Sequence, residues 1–416
     1  MTRLPESVAI IGGGIIGAAA AYHLARCGLA VTVIEKDRFG QGSSWGNCGI
    51  VLPSHVLPLN SVENLVRGLR WMFKKDAPLH ISPRWDPALW RWLLDFSRRC
   101  NGRNNHRSSL AISAITQGAV ARFDAWIDTE HLQCRWRKDG ALFLFRSEEA
   151  FRHYAKTDAA TRRYGHGCSP LSRAELAKRE PSVAEAVAGA WLDAGAARLR
   201  PHELMQELHR VLKRIGVTIR DATDCIGLHD HSGRAVCART SRGEVSADAF
   251  VVAAGAWTPM LSAALGVNLP IQPGKGYSAT FSGGWNIPSI PCFFEERQVV
   301  FTPWAGGCRL GGTMEFSGYD DRLNRARIDA LTAAASEYLA TRNLGRLEEE
   351  WYGWRPMTSD GVPIIDRVPS MENVVVAAGH NMLGITMAPA TGRLVADLIT
   401  GRPPHIDPTP YRLARF

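Results

Sequence analysis

Val8-Ala9-Ile10-Ile11-Gly12-Gly13-Gly14-Ile15-Ile16-Gly17, with an alanine-rich run to Gly28 and then Val31-Thr32-Val33-Ile34-Glu35, is the stretch on which the fold turns. A short apolar strand enters a G-x-G-x-x-G turn, a helix follows, and a second apolar strand ends in an acid. Gly12, Gly14 and Gly17 stand where a backbone must turn sharply and approach a pyrophosphate. The first amides of the helix, at Ile15 and Ile16, and its dipole face that anion. Glu35, with Lys36 beside it, can accept both hydroxyl protons of a ribose. A lone glycine triplet says little, but in this strand–turn–helix–strand context it predicts an adenine dinucleotide site.

The chain has 416 residues, more than one core usually organises, so two domains are expected. With 45% apolar and 21% charged residues it has the composition of a soluble globular protein. No apolar stretch approaches the length needed to span a bilayer. The first strand begins almost at Met1, which predicts no cleavable leader. Nine cysteines are scattered without C-x-x-C spacing, predicting reduced thiols, no zinc or other metal site, and a cytoplasmic location. The net charge of +9 gathers partly at Arg98, Arg99, Arg103, His106 and Arg107. No nucleic-acid module surrounds them, so a solvated helix face is expected and no nucleic-acid partner.

Further along, Gly40 to Gly49 form a Gly/Ser turn, and residues 61 to 131 have helical spacing throughout. Within them Val62, Leu65, Val66, Leu69, Met72 and Phe73 form an apolar stripe beside Arg67, Arg70, Lys74 and Lys75. That stripe is expected to pack into the substrate domain, with peripheral contact to the cytoplasmic face of a membrane as the alternative. A strand is predicted over 140–146 and a helix over 148–163. Further predicted elements are a helix from Pro201 to Ile215, strands from Val217 to Leu228 and Val236 to Thr240, a strand from Ala249 to Ala254, and a helix from Thr258 to Leu265. Residues 271–313 read as several strands, 324–340 as a helix, Val374–Ala378 as a strand, and Pro389–Ile399 as a helix after a turn from Gly379 to Gly384. The nucleotide domain is therefore expected to be discontinuous, over 1–60, 194–268 and 353–416. A substrate domain would take 61–193 and 269–352, with a cleft between the two.

Two cofactors fit the dinucleotide motif, NAD or FAD. The turn Gly379-His380-Asn381-Met382-Leu383-Gly384-Ile385-Thr386 precedes a helix whose N-terminus suits the negative charge of a reduced flavin. The other glycine-dense stretch, Ala305 to Gly312, lacks a following helix, which argues against a second dinucleotide site. Ser43, Ser44, Asn47 and Gly49, the turn Ala253-Ala254-Gly255-Ala256-Trp257, Lys275-Gly276-Tyr277, Gly353-Trp354-Arg355-Pro356-Met357 with Asp360-Gly361, and Ala378 through Gly384 form a combined pattern. That pattern resembles the FAD-dependent D-amino-acid dehydrogenase and glycine oxidase group of the D-amino-acid oxidase superfamily. The resemblance covers nearly the whole chain. It implies an α/β fold in which a Rossmann-like FAD domain joins an α+β substrate domain built on a mixed antiparallel sheet. It implies phosphate or ribityl contacts from Ser43 and Ser44, Ala254 and Gly255 beside the cofactor, and Gly379, His380, Gly384, Ile385 and Thr386 around the flavin ring. No cysteine lies in the motif that attaches flavin in the related sarcosine oxidases, so non-covalent FAD is expected.

An amino-acid oxidising site must hold a carboxylate, present the α-hydrogen to flavin and favour the neutral amine. A guanidinium fork suits the first task, and Arg355 is the expected anchor by resemblance. The alternative is an ion pair between Arg355 and Asp360. Tyr277 either donates to the same carboxylate or is a core aromatic with its hydroxyl satisfied, and His55 enters the pocket or is structural. The expected activity is oxidative deamination of a D-amino acid, with D-proline or its hydroxylated form among the candidates, and a quinone or another respiratory acceptor taking the electrons. The rivals are an O2-using glycine or sarcosine-type oxidase and a flavin-bearing electron-relay subunit.

Overall fold

Strand Ser7–Ile11 lies inside a six-stranded sheet of the computed structural model, which describes residues 4–71 and 78–416. It pairs in parallel with Ala30–Ile34 on one side and Ala249–Val252 on the other. The sheet runs in the order Ile364–Val368, Met371–Ala378, Ala249–Val252, Ser7–Ile11, Ala30–Ile34, Thr218–Arg220. Its central strands are unbroken Val, Ile, Ala and Phe runs because helices or strands cover both faces. Helix Ile15–Arg26 packs beside the C-terminal helix Gly384–Thr400 on one of them. A Cβ on Gly17 would stand 1.9 Å from the carbonyl oxygen of Gly12, so the tight entry from strand to helix requires glycine.

A nine-stranded mixed sheet forms the other half. Its order is Gly345–Thr358, Ile271–Gly283, Gly307–Phe316, Val299–Trp304, Cys292–Phe294, Ala141–Phe145, Gly189–Asp193 and Ser169–Ser172, with Leu79–Ile81 added beside Gly307–Phe316. One face packs on helix Arg325–Tyr338 through a cluster that includes Leu310, Phe301 and Phe294. The other face looks toward the C-terminal ends of Ser7–Ile11 and Ala30–Ile34 across a cavity of about 2080 Å3.

Several expectations need correction. Residues 61–131 are not helical throughout: helices Val62–Trp71, Pro87–Arg99, Gly102–Thr116 and Ala119–Glu130 are joined partly by strand Leu79–Ile81, which pairs with Met314 to Phe316. Met72, Phe73, Lys74 and Lys75 of the apolar stripe lie outside the described residues. Val62 and Val66 face solvent at 60% and 42% exposure, so this part of the stripe does not pack into the substrate domain. The strand expected over 217–228 divides between two sheets, because Ala222 turns the chain at φ +49°. A 3-10 turn at Gly255–Leu261 precedes the short helix Ser262–Leu265. The C-terminal helix begins at Gly384, not Pro389, which sits inside it. Strand Gly345–Thr358 pairs along its length with Ile271–Gly283, so the chain leaves the nine-stranded sheet after Thr358 rather than at residue 353.

Candidate active site

Glu35 follows strand Ala30–Ile34 directly, with Oε2 accepting the Gly13 N–H at 2.7 Å and Oε1 accepting the Asp37 N–H at 3.0 Å. Burial pushes its pKa up, while those two N–H groups favour the charged form. Gly14 caps helix Ile15–Arg26 without a side chain, and Ser44 Oγ accepts the Ile15 N–H at 2.9 Å. The second helix facing the cavity starts at Gly384, and its N-cap, Leu383, likewise gives no side-chain cap. Two helix starts with no side chain of their own N-cap residue bonded to them, with a buried acid between strand and turn, fit the anionic and hydroxyl groups of an adenine dinucleotide.

Gly12, Gly14, Ile15, Ile16, Glu35, Lys36, Ser43, Ser44, Asn47, Gly49, Ala254, Gly255, His380, Gly384 and Ile385 all line the one cavity. Gly17, Gly379 and Thr386 do not: Gly17 shapes the first turn, and Thr386 Oγ1 accepts the Leu52 N–H at 3.1 Å. Ser43 Oγ donates to the Trp354 carbonyl at 2.6 Å, and Asn47 bridges the Gly49 N–H and the Ser43 and Ser44 carbonyls. Lys36 Nζ sits 3.9 Å from the Trp257 ring centroid. His380 Nε2 and Thr391 Oγ1 lie 3.0 Å apart, and burial pushes the His380 pKa down to about 3. His55 lines the cavity, and burial lowers its pKa too.

Arg355 enters the cavity from strand Gly345–Thr358. A Cβ on Gly276 would lie 2.1 Å from Arg355 Nη1, so the guanidinium rests directly on bare backbone. Nη1 donates to the Thr313 carbonyl at 2.8 Å. Thr313 occupies a bulge, where the register slips between Lys275–Glu315 and Tyr277–Gly312. Its φ of +64° is uncommon for a β-branched residue and aims that carbonyl at the arginine. The expected alternative for Arg355 fails: Asp360 is taken by Arg415, at 2.7 Å. Among the described residues Arg355 has no carboxylate partner, and burial lowers its pKa. A half-buried guanidinium fork with no protein acid is suited to an incoming carboxylate.

Tyr277 lines the cavity and is also buried at its edge. Its ring belongs to the core beneath the sheet, and its hydroxyl donates to Glu315 Oε2 at 3.3 Å. Thr313 was not legible as a site residue, since no motif marks a strand bulge. Arg309 was also missed. It is buried at 1% exposure and donates to the Trp45 and Asn47 carbonyls at 2.9 and 3.0 Å while pairing with Glu349. It thereby fixes the Ser43–Asn47 turn to the second sheet.

The two-sheet architecture and this cavity define a flavin-dependent oxidoreductase, and the chain belongs to the family described as FAD dependent oxidoreductase (DAO), whose pattern matches residues 7–398. It is 31% identical to a D-amino acid dehydrogenase of Granulibacter bethesdensis over 98% of this chain and 99% of the relative. It is 32% identical to a protein of the same name from Methylobacterium nodulans over 96% of each. In fold it is similar to glycine oxidase from Geobacillus kaustophilus, with a TM-score of 0.78 and 24% identity over 100% of both chains. It is likewise similar to L-proline dehydrogenase from P. horikoshii, with a TM-score of 0.73 and 21% identity over 99% of both.

Proposed function

We propose that the protein is a dehydrogenase that oxidises a D-amino acid at its α-carbon and passes the electrons to an acceptor other than O2. The observation that carries this reading is Arg355: a guanidinium held over Gly276 by the Thr313 carbonyl, inside the cavity and without a protein carboxylate. The D-amino acid dehydrogenases to which the chain is about 31% identical over its full length support the substrate class.

Arg355 fixes the α-carboxylate through the N–H groups not used by Thr313, which sets both position and orientation. Burial keeps His55 and His380 neutral near pH 7, so neither histidine adds positive charge beside a substrate amine. The same burial makes His55 a poor base, and the ammonium proton is left to solvent before the substrate is enclosed. When bound, FAD would supply the two-electron acceptor for hydride from the α-carbon, and hydrolysis of the imine product would give a 2-oxo acid and ammonia. Gly12, Glu35, Ser44 and Gly384 would hold the cofactor non-covalently. Cyclic imino acids such as D-proline would fill only the part of the cavity nearest Arg355.

Leu59 and Trp90 line the cavity and are exposed, and Val62, Val66 and Leu94 are exposed on the two helices, Val62–Trp71 and Pro87–Arg99, that contribute to its lining, which supports a quinone drawn from a membrane surface as acceptor. Among the described residues no helix is long and apolar enough to cross a membrane. Turnover with air compared with turnover with a quinone analogue tests the acceptor, since rapid stoichiometric peroxide would make the protein an oxidase. Arg355→Ala tests the anchor. It should raise KM on the order of 100-fold, as expected for loss of a charge-assisted pair, with FAD still bound. An unchanged KM would remove Arg355 from this role.

A further inference from the structure

The cavity does not end at Arg355. It continues across the nine-stranded sheet past Thr313, Gln298, Val300 and Phe293 to Glu295. The strand registers explain this path. Gly312 pairs with Val299, and Val299 with Phe294, so one residue further along Thr313, Gln298 and Glu295 stand in a transverse row. At one strand spacing each, Glu295 lies about 10 Å from Thr313, whose carbonyl holds the guanidinium. That is the scale of an extended amino acid from its carboxylate to the terminal nitrogen of a lysine or arginine side chain. Phe293 and Val300 flank the row and offer apolar surface to the methylene stem.

We propose that Glu295 is a distal subsite for the cationic end of the substrate side chain, so that the enzyme prefers D-amino acids of lysine or arginine length. This rests on the amino-acid reading of Arg355 given above. Three neighbouring acids are otherwise engaged. Glu296 accepts the Arg146 and Ser147 N–H groups and the Tyr338 hydroxyl, Asp158 pairs with Arg162, and Glu63 faces His153 at 3.8 Å. Glu295 faces Arg67 of helix Val62–Trp71 and Gln298, and burial still pushes its pKa up to about 7. A carboxyl held in that range by desolvation gains when a second cation arrives, because the charged form is then favoured. Phe143 and Phe293, stacked at 4.7 Å, lie beside it and present ring surface to the same charge.

The test is anaerobic flavin reduction by the wild-type holoenzyme with D-lysine, D-arginine and the uncharged D-norleucine, repeated with Glu295→Gln. The wild type should bind the cationic substrates at least about tenfold more tightly than D-norleucine. That preference should vanish in Glu295→Gln, while D-norleucine behaves as before. Neutral D-amino acids reducing the wild-type flavin as readily as cationic ones would overturn the subsite and leave the amino-acid reading intact. Reduction by no amino acid at all would overturn that reading itself. An equal loss for every substrate in Glu295→Gln would show that Glu295 acts only by holding Arg67, and would also overturn the subsite. The wild-type comparison needs no variant to fold.

Discussion

Arg355 lies against Gly276 so closely that the glycine is part of the proposed anchor. Gly276→Ala would place a methyl 2.1 Å from Nη1 and must push the guanidinium off the Thr313 carbonyl. A displacement of that size costs orientation more than fold stability. It should lower kcat/KM by roughly 10- to 100-fold while melting temperature and bound FAD change little. Steady-state kinetics beside a thermal melt checks this, and a variant with parental kcat/KM would show that the guanidinium does not act from its present place. Arg355 itself could be read from the Gly-x-Arg-Pro motif. Gly276 could be quoted but not placed, and Thr313, 42 residues from Arg355, had no signal because a bulge depends on strand register rather than composition.

At the level of elements, the opening βαβ unit was legible because its information is local. Turn chemistry, an alanine-rich helix and two apolar strands all lie within residues 7–35. The nine-stranded sheet was only partly legible, since its pairings join segments as distant as Ala141–Phe145 and Cys292–Phe294. Arg309 shows what such pairings do. From strand Gly307–Phe316 it reaches across to the Trp45 and Asn47 carbonyls, tying the Gly/Ser turn at the cavity to the sheet that carries Arg355. Arg309→Met should leave the Trp45 and Asn47 carbonyls without their donor, cost about 1–3 kcal/mol, and weaken FAD retention on dilution. Fluorescence of released flavin measures the effect. Full retention in the variant would mean that the turn holds its shape without the second sheet.

For the whole molecule, buried histidines set how stability depends on pH. Burial lowers His380 to about 3 and His23 to about 4 from a usual value of 6.5. Between those values and 6.5 the unfolded chain binds protons that the folded chain refuses. Stability from these groups is therefore complete above about pH 6.5 and falls as the solution is acidified, with a slope approaching 1.4 kcal/mol per pH unit for each group, roughly. Denaturant melts from pH 7 to 5 should show this loss, and His380→Gln should show a shallower one. Identical slopes in parent and variant would mean that His380 is protonated as readily in the fold as outside it. The parallel sheet was legible in the motifs of residues 7–35, whereas the mixed sheet was expected only from the family resemblance and a strand-rich reading of residues 271–313. The point at which the chain leaves the second sheet was not legible, because Gly345–Thr358 is one strand that gives no break in its sequence.

The central claim is that a small amino acid, pinned by Arg355, gives its electrons directly to the flavin. Its most direct measurement is the flavin absorption spectrum of the purified holoenzyme under anaerobic titration with D-amino acids, in parent and Arg355→Ala protein. The account predicts that the parent bleaches at low substrate concentration and that the variant, still yellow and folded, bleaches only at concentrations on the order of 100-fold higher. Equal bleaching of both proteins, or none of the parent, would contradict it.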